Sequence, residues 1–320
     1  MESRLVGITG TGLLGRGIAA CFLARGFRVI AYDRNPQAKS DARQYIQHAV
    51  EDLFQHHCVN KQLITQWPSA YQDPDSIEAL RECDFVIESV SEDLQTKRDI
   101  FDQIEAIVGP SVPIASNTSA LPITLLQQGR RHPNRFIGMH WADPCYINRF
   151  LEVIRGELTD DATAQATMNL GKAAGKEPSL VRKDIEGFIV NRLGYAMYRE
   201  AIYLLETGVA DVETIDRSFR GAFGLWAAIA GPFRWMDLTG LPAYAAVMKR
   251  LFPKLSNAAE VPETIQKLVD SGATGISAGQ GFYSYTREET ERWKDLLIEN
   301  VWRVREIGDI VESVQKEKAE

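Results

Sequence analysis

The sequence is poor in cysteine. It has four in 320 residues, at 21, 58, 83 and 145, and no two form a C-x-x-C pair. That scatter argues against a zinc knuckle or a disulfide framework and suits a reducing, cytoplasmic setting. No apolar run is long enough to span a bilayer. The first apolar strand starts by Leu5, so no secretory signal peptide is expected. A surplus of positive charge is also missing. With 36 basic and 43 acidic side chains, the formal charge is -7, which argues against nucleic acid or an anionic membrane as the main partner. No cluster of metal-ligand spacing, no internal repeat and no low-complexity tract stands out. The remainder, 45% hydrophobic and 25% charged, is ordinary for a globular chain with room for two cores.

Against that plain background the N-terminus carries a dense signal. The apolar run Leu5 to Ile8 reads as a buried strand. Gly10, Gly12 and Gly15 follow at G-x-G-x-x-G spacing, and small residues then open a helix. Gly10 permits a tight turn, bare Gly12 lets a pyrophosphate reach the backbone, and Gly15 allows close packing of helix on sheet. The N–H groups at the helix start, near Leu13 and Leu14, would face the phosphates. A second strand, Phe27 to Tyr32, ends at Asp33, 21 residues after Gly12, where a carboxylate would accept bonds from an adenosine ribose. Strand, glycines, helix, strand and acid in register predict dinucleotide binding.

Further apolar runs predict strands at Asp84 to Glu88, Pro113 to Ser116, Arg135 to Met139, Phe150 to Ile154 and Glu177 to Val181. Asn35-Pro36 is a helix-start signal, and the helical stretch that follows, from Ala38 to about Gln66, exceeds an ordinary crossover and reads equally as a solvated excursion or as a flap over a bulky substrate. From Gly187 the strands stop. Helices are expected at Phe188 to Glu206, from Asp211, from Pro232, and from Thr286 to about Val314. The class is therefore α/β, a doubly wound sheet followed by an all-helical C-terminal domain, with the boundary near Asp184 to Gly187. The domains are expected at 1–185, binding the cofactor, and 186–320, serving substrate and dimerisation.

In such sheets ligands sit at the carboxyl ends of strands. Glu88, Glu92, Asn117, Ser119 and His140 all fall there. His140 ends an apolar run, and Glu152 lies within the next one. A buried carboxylate needs a partner. The short turn between the runs lets the two face each other, as a general base with an orienting acid. Asn191, early in the first C-terminal helix, reads either as an inter-helix hydrogen bond or as a carbonyl ligand. Lys97, taken alone, reads as a surface lysine.

The whole pattern resembles the 3-hydroxyacyl-CoA dehydrogenase family from about Leu5 to Tyr285. The motifs that carry it are the glycine loop with Asp33, Glu88 to Lys97, Ser116-Asn117-Thr118-Ser119, His140-Trp141-Ala142-Asp143-Pro144 with Leu151-Glu152-Val153, and Gly187-Phe188-Ile189-Val190-Asn191-Arg192. The resemblance implies a Rossmann-type fold, NAD as cofactor and a homodimer formed through the helical domain. It makes His140 the base, Glu152 its partner, Ser119 a hydrogen-bond donor to the reacting oxygen and Asn191 a substrate contact. Glu92, Lys97 and Asn117 would line the nicotinamide and ribose end. Asp33 favours NAD, while the neighbouring Arg34 could pair with a 2′-phosphate.

The chain also departs from the family pattern. Asp143 stands where asparagine is common, and Ala120 where a second serine usually follows. The segment Arg220 to Ala230 and the charged tail are similar to relatives acting on small 3-hydroxy acids, such as L-gulonate and L-carnitine dehydrogenases. These changes leave the reaction class intact and bear on the substrate. The expected reaction interconverts an L-3-hydroxyacyl-CoA and a 3-oxoacyl-CoA. A CoA-independent 3-hydroxy-acid dehydrogenase is the alternative, and an NAD-binding protein without turnover is a third reading.

Overall fold

Eight strands form one sheet in the order β3-β2-β1-β4-β5-β6-β7-β8. In chain order they are β1 (Leu5–Thr9), β2 (Arg28–Tyr32), β3 (Tyr71–Gln72), β4 (Phe85–Glu88), β5 (Ile114–Ser116), β6 (Phe136–Trp141), β7 (Phe150–Arg155) and β8 (Glu177–Val181). Strands β1 to β6 pair in parallel, β7 runs antiparallel to β6, and β8 is parallel to β7. The order reverses between β1 and β4, which is the switch point where a doubly wound sheet opens a ligand crevice. The computed structural model describes residues 4–316; the outermost ends of the two expected domains, 1–3 and 317–320, lie outside the described residues.

The central strands β1, β4, β5 and β6 are buried throughout because helices cover both faces of the sheet. These are α1 (Leu13–Leu23), α2 (Pro36–Gln55), α3 (Leu63–Ala70), α4 (Leu94–Ile107), α5 (Ile123–Gln127) and α6 (Asp161–Ala173). Phe101 and Ile104 of α4 and Ile123 of α5 join Val86, Ile114 and Phe136 of the strands in one cluster. Asn35 caps α2 by accepting from Gln37 N–H, and Pro36 takes its first turn, as the Asn-Pro pair predicts. Helices α2 and α3 are the expected bent excursion, broken around His57, whose φ is 58°. It is no solvated arm: Ala42, Ile46, Ala49, Val50 and Leu53 are all buried along one stripe of α2.

The chain divides into two compact units, 1–192 and 193–320. Among its described residues the second unit has helices and two isolated β-bridges, Gly275 with Gln280 and Gln280 with Ser284, but no strand. Helix α7 (Val190–Glu206) leads into it, followed by α8 (Val212–Ala222), α9 (Pro232–Thr239), α10 (Leu241–Leu251), α11 (Glu263–Asp270) and α12 (Arg287–Lys316). Asp211 caps α8 through Thr214 N–H, and Pro232 opens α9. Helix α7 starts two residues later than its apolar pattern predicts, because Gly187 and Phe188 both have positive φ, 76° and 51°.

Candidate active site

The glycine loop runs from the end of β1 into α1. Gly10 has φ 87°, and a Cβ there would lie 2.5 Å from Ser89 O; a Cβ on Gly15 would lie 1.9 Å from Gly10 O. Neither position admits even alanine without moving backbone. Gly12 is different: nothing lies within 4 Å of where its Cβ would be. No side chain caps α1, and its first turn carries no acid. An open approach and an uncapped helix N-terminus beside Leu13 and Leu14 fit a pyrophosphate. Asp33 Oδ2 accepts from Thr11 N–H (2.7 Å) and Thr11 Oγ1 (3.1 Å), and Oδ1 from Asn35 N–H (2.8 Å). The carboxylate thus ties the end of β2 to the loop, which holds it where a ribose would lie. These residues fit a dinucleotide.

Beyond the loop, strand ends supply a connected polar network. Glu88, fully buried at the end of β4, accepts from Lys97 Nζ on both oxygens (2.8 and 3.0 Å), from Ser116 Oγ (2.6 Å) and from Val90 N–H (2.8 Å). Burial pushes its carboxyl up, and the Lys97 ammonium opposes that without cancelling it. Lys97 also reaches Glu92 Oε2 at 3.2 Å. Lys97 is therefore not the surface lysine its isolated reading suggests; it is fully buried, with three carboxylate oxygens of Glu88 and Glu92 within 3.2 Å of its ammonium. The signal was available, because Lys97 sits with Ile100, Phe101 and Ile104 on one helical stripe of α4.

Glu92 Oε1 accepts from Thr118 Oγ1 (2.5 Å), Ser119 N–H (2.9 Å) and Ala120 N–H (3.2 Å), and lies 3.4 Å from Ser119 Oγ. Burial raises its pKa, but the Thr118 hydroxyl, the Lys97 charge and the Ser119 N–H outweigh it and hold the carboxyl below its ordinary range. Glu92 is a clamp on the Ser119 loop, a role its position after β4 did not reveal. Asn117 spans the neighbouring strand ends, donating Nδ2 to Ser89 Oγ (3.0 Å) and accepting Trp141 N–H on Oδ1 (3.1 Å).

The expected pairing of His140 with Glu152 is present. The antiparallel register sets the two residues directly opposite each other on β6 and β7. Their side chains meet at 2.9 Å, Nδ1 to Glu152 Oε2, with Glu152 only 2% exposed. In the neutral ring, Nδ1 facing a carboxylate is the nitrogen that carries the proton, which leaves the lone pair on Nε2; among the described residues Nε2 has no hydrogen-bond partner. Glu152 Oε1 accepts from Ile189 N–H and Val190 N–H, both at 3.0 Å, where α7 begins. The rings of Phe150 and Phe188 lie 5.5 and 5.9 Å from the imidazole. Left-handed φ at a residue as bulky as Phe188 costs on the order of 1–3 kcal/mol, and nothing in its residue type signals that conformation. Asn191 Nδ2 donates to the backbone oxygen of Ser119 at 2.6 Å, so Asn191 and Ser119 are brought together. Chemically, the cluster offers an imidazole base held by an acid, with a serine loop fixed from two sides.

The sequence matches the family model for the 3-hydroxyacyl-CoA dehydrogenase NAD binding domain over residues 5–185 and that for the C-terminal domain over 187–285. The chain is 35% identical to 5-formyl-3-hydroxy-2-methylpyridine 4-carboxylate 5-dehydrogenase of Mesorhizobium japonicum, over 90% of this chain and 93% of that one. It is 33% identical to 3-hydroxybutyryl-CoA dehydrogenase of Bradyrhizobium diazoefficiens (88% and 94%) and 30% identical to L-carnitine dehydrogenase of Oceanobacillus iheyensis (93% and 99%). Among solved structures, one described as the pyridine-carboxylic acid 5-dehydrogenase, an NAD+ dependent dismutase, superposes with a TM-score of 0.88 at 34% identity, covering 97% of this chain and 99% of that one. The (S)-3-hydroxybutyryl-CoA dehydrogenase of Ralstonia eutropha superposes with a TM-score of 0.74 at 32% identity, covering 89% and 100%. The glycine loop, the Rossmann sheet and the helical C-terminal domain are thus shared with NAD-dependent oxidoreductases, and this chain belongs to the 3-hydroxyacyl-CoA dehydrogenase family.

Proposed function

We propose that this protein interconverts a hydroxyl and a carbonyl group on a small carboxylic acid that is not linked to CoA, with NAD as the redox partner and His140 as the general base. The observation that carries the base assignment is the buried His140–Glu152 pair, with Nδ1 held and Nε2 open. When bound, the nicotinamide exchanges a hydride with the substrate carbon. In the oxidation direction His140 Nε2 takes the hydroxyl proton, and Glu152 stabilises the imidazolium that forms. An imidazole suits this work near neutral pH. Ser119, its loop clamped by Glu92, orients the reacting oxygen. Asn191 holds that loop through the Ser119 carbonyl and contacts the substrate. Lys97 acts through Glu92, fixing its second oxygen.

The CoA-free substrate is supported by the closeness of the structural likeness. The pyridine-carboxylic acid enzyme superposes with a TM-score of 0.88, whereas the 3-hydroxybutyryl-CoA enzyme superposes with 0.74. The family model likewise stops at residue 285, before α12 begins. A CoA thioester, the substrate expected from the motifs, is the second reading, favoured by the 3-hydroxybutyryl-CoA relatives. Residues 1–185 are assigned to the cofactor, and 186–320 to substrate binding and to a homodimer. The test is NADH oxidation with acetoacetyl-CoA beside a panel of free 3-oxo acids and aromatic formyl acids. We expect kcat/KM for the best free acid to exceed that for the thioester by at least about tenfold. Efficient turnover of acetoacetyl-CoA alone would establish the second reading, and no turnover of any compound would leave neither.

A further inference from the structure

Phenylalanine is a poor choice for a left-handed backbone position, where glycine or asparagine is the usual occupant. Phe188 nevertheless has φ 51°, directly after Gly187 at 76°. A residue held there must be kept for its side chain, and strain of this kind gathers at functional sites. Phe188 is 1% exposed, and its ring lies 5.9 Å from the His140 imidazole at an interplanar angle of 55°. Phe150 lies 5.5 Å from the same imidazole at 88°. The left-handed pair also sets the direction of the chain that follows. Ile189 N–H and Val190 N–H both end on Glu152 Oε1 at 3.0 Å, which leaves Oε2 for His140 Nδ1 at 2.9 Å. One two-residue turn therefore delivers a ring to the base and two donors to its acid.

From this we infer that Phe188 is a positioning residue for the His140–Glu152 pair. Its ring fixes the plane of the imidazole, and the strained turn beneath it locks Glu152 so that one carboxylate oxygen selects the Nδ1–H tautomer. The inference rests on His140 being the general base. Free imidazole in water favours the other tautomer, with the proton on Nε2, which would present a donor to the substrate hydroxyl instead of an acceptor.

The test compares Phe188→Leu and Phe188→Gly with wild type. Leucine removes the ring and keeps bulk. Glycine removes the ring and relieves the backbone, so it keeps the test open where leucine fails to fold. Nitrogen-15 NMR of histidine-labelled protein reports the tautomer independently of turnover; the sequence has five histidines, and the signals lost in His140→Gln identify the right one. In wild type the neutral form of the His140 ring should carry its proton on Nδ1. In both variants that signal should shift towards the Nε2–H form, and kcat should fall on the order of 10- to 100-fold with NADH affinity unchanged. Variants that lose thermal stability but keep wild-type kcat and the Nδ1–H signal would overturn the inference and make Phe188 a core residue only. A His140→Ala enzyme that keeps its turnover would instead remove the base assignment itself, so the two failures are distinguishable.

Discussion

At the scale of single residues, the site depends on buried charges that satisfy one another. Lys97 and Glu88 are both fully buried, and each is the other's main compensation. Removing one partner of such a pair leaves an uncompensated charge and costs about 3–5 kcal/mol, whereas removing both costs far less. Lys97→Met should therefore lower unfolding stability in urea by roughly that amount, and adding Glu88→Gln should recover most of it. A Lys97→Met loss below about 1 kcal/mol would show that the pair does not hold the strand ends together. Single-residue reading failed at Lys97 because a lysine's charge was weighed without its helix. It found the contact between His140 and Glu152 because two apolar runs joined by a short turn leave few partners for a buried acid.

Elements were legible wherever a local rule decides them. The glycine loop, the Asn35-Pro36 start of α2 and the Asp211 cap of α8 follow from short-range chemistry, and all three stand where the sequence puts them. The start of α7 was not legible. Its apolar pattern continues back to Phe188, but the backbone there is left-handed, with the Phe188 ring beside His140 and the next two N–H groups on Glu152. Caps also carry a pH signature. Asp160 accepts from Thr163 N–H at 2.7 Å at the start of α6, and that bond, with a further one from Asn134, holds its carboxyl below the ordinary range. A depressed folded pKa means stability that is present above the unfolded value, about 3.9 for aspartate, and lost as pH falls through the lower folded value. Asp160→Ala should cost on the order of 1 kcal/mol at neutral pH by urea denaturation. The gap should shrink as pH is lowered below about 4. A gap that widens on acidification would contradict the cap.

For the whole molecule, the two units differ in what they bury. The sheet unit holds nearly all of the core, while among the described residues of the helical unit only Ala230, Ala273 and Trp302 are buried hydrophobics. Leu193, Tyr195, Leu225, Phe233 and Leu238 are between 59% and 78% exposed. These exposed apolar side chains are what the proposed homodimer would cover. A second copy of this chain carries the same unmatched faces, and closed two-fold pairing is the commonest way to cover them. Light scattering at micromolar concentration should give twice the mass of the chain, and a monomer would contradict the proposed homodimer. Sequence periodicity could identify these helices as amphipathic, but not what covers their apolar faces, because a helix pattern does not distinguish an internal core from an interface.

Whether this geometry is a working base is decided most directly by His140→Ala, measured on the best substrate of wild type with NADH affinity followed by fluorescence. Turnover should fall by roughly 10²- to 10⁴-fold while NADH affinity stays within about twofold of wild type. Glu152→Gln should fall in the same direction, and the double variant should lose much less than the product of the two single losses, because the pair acts as a unit. Near-wild-type turnover in His140→Ala, with NADH still bound, would mean that the buried pair is architecture and that the proton goes elsewhere.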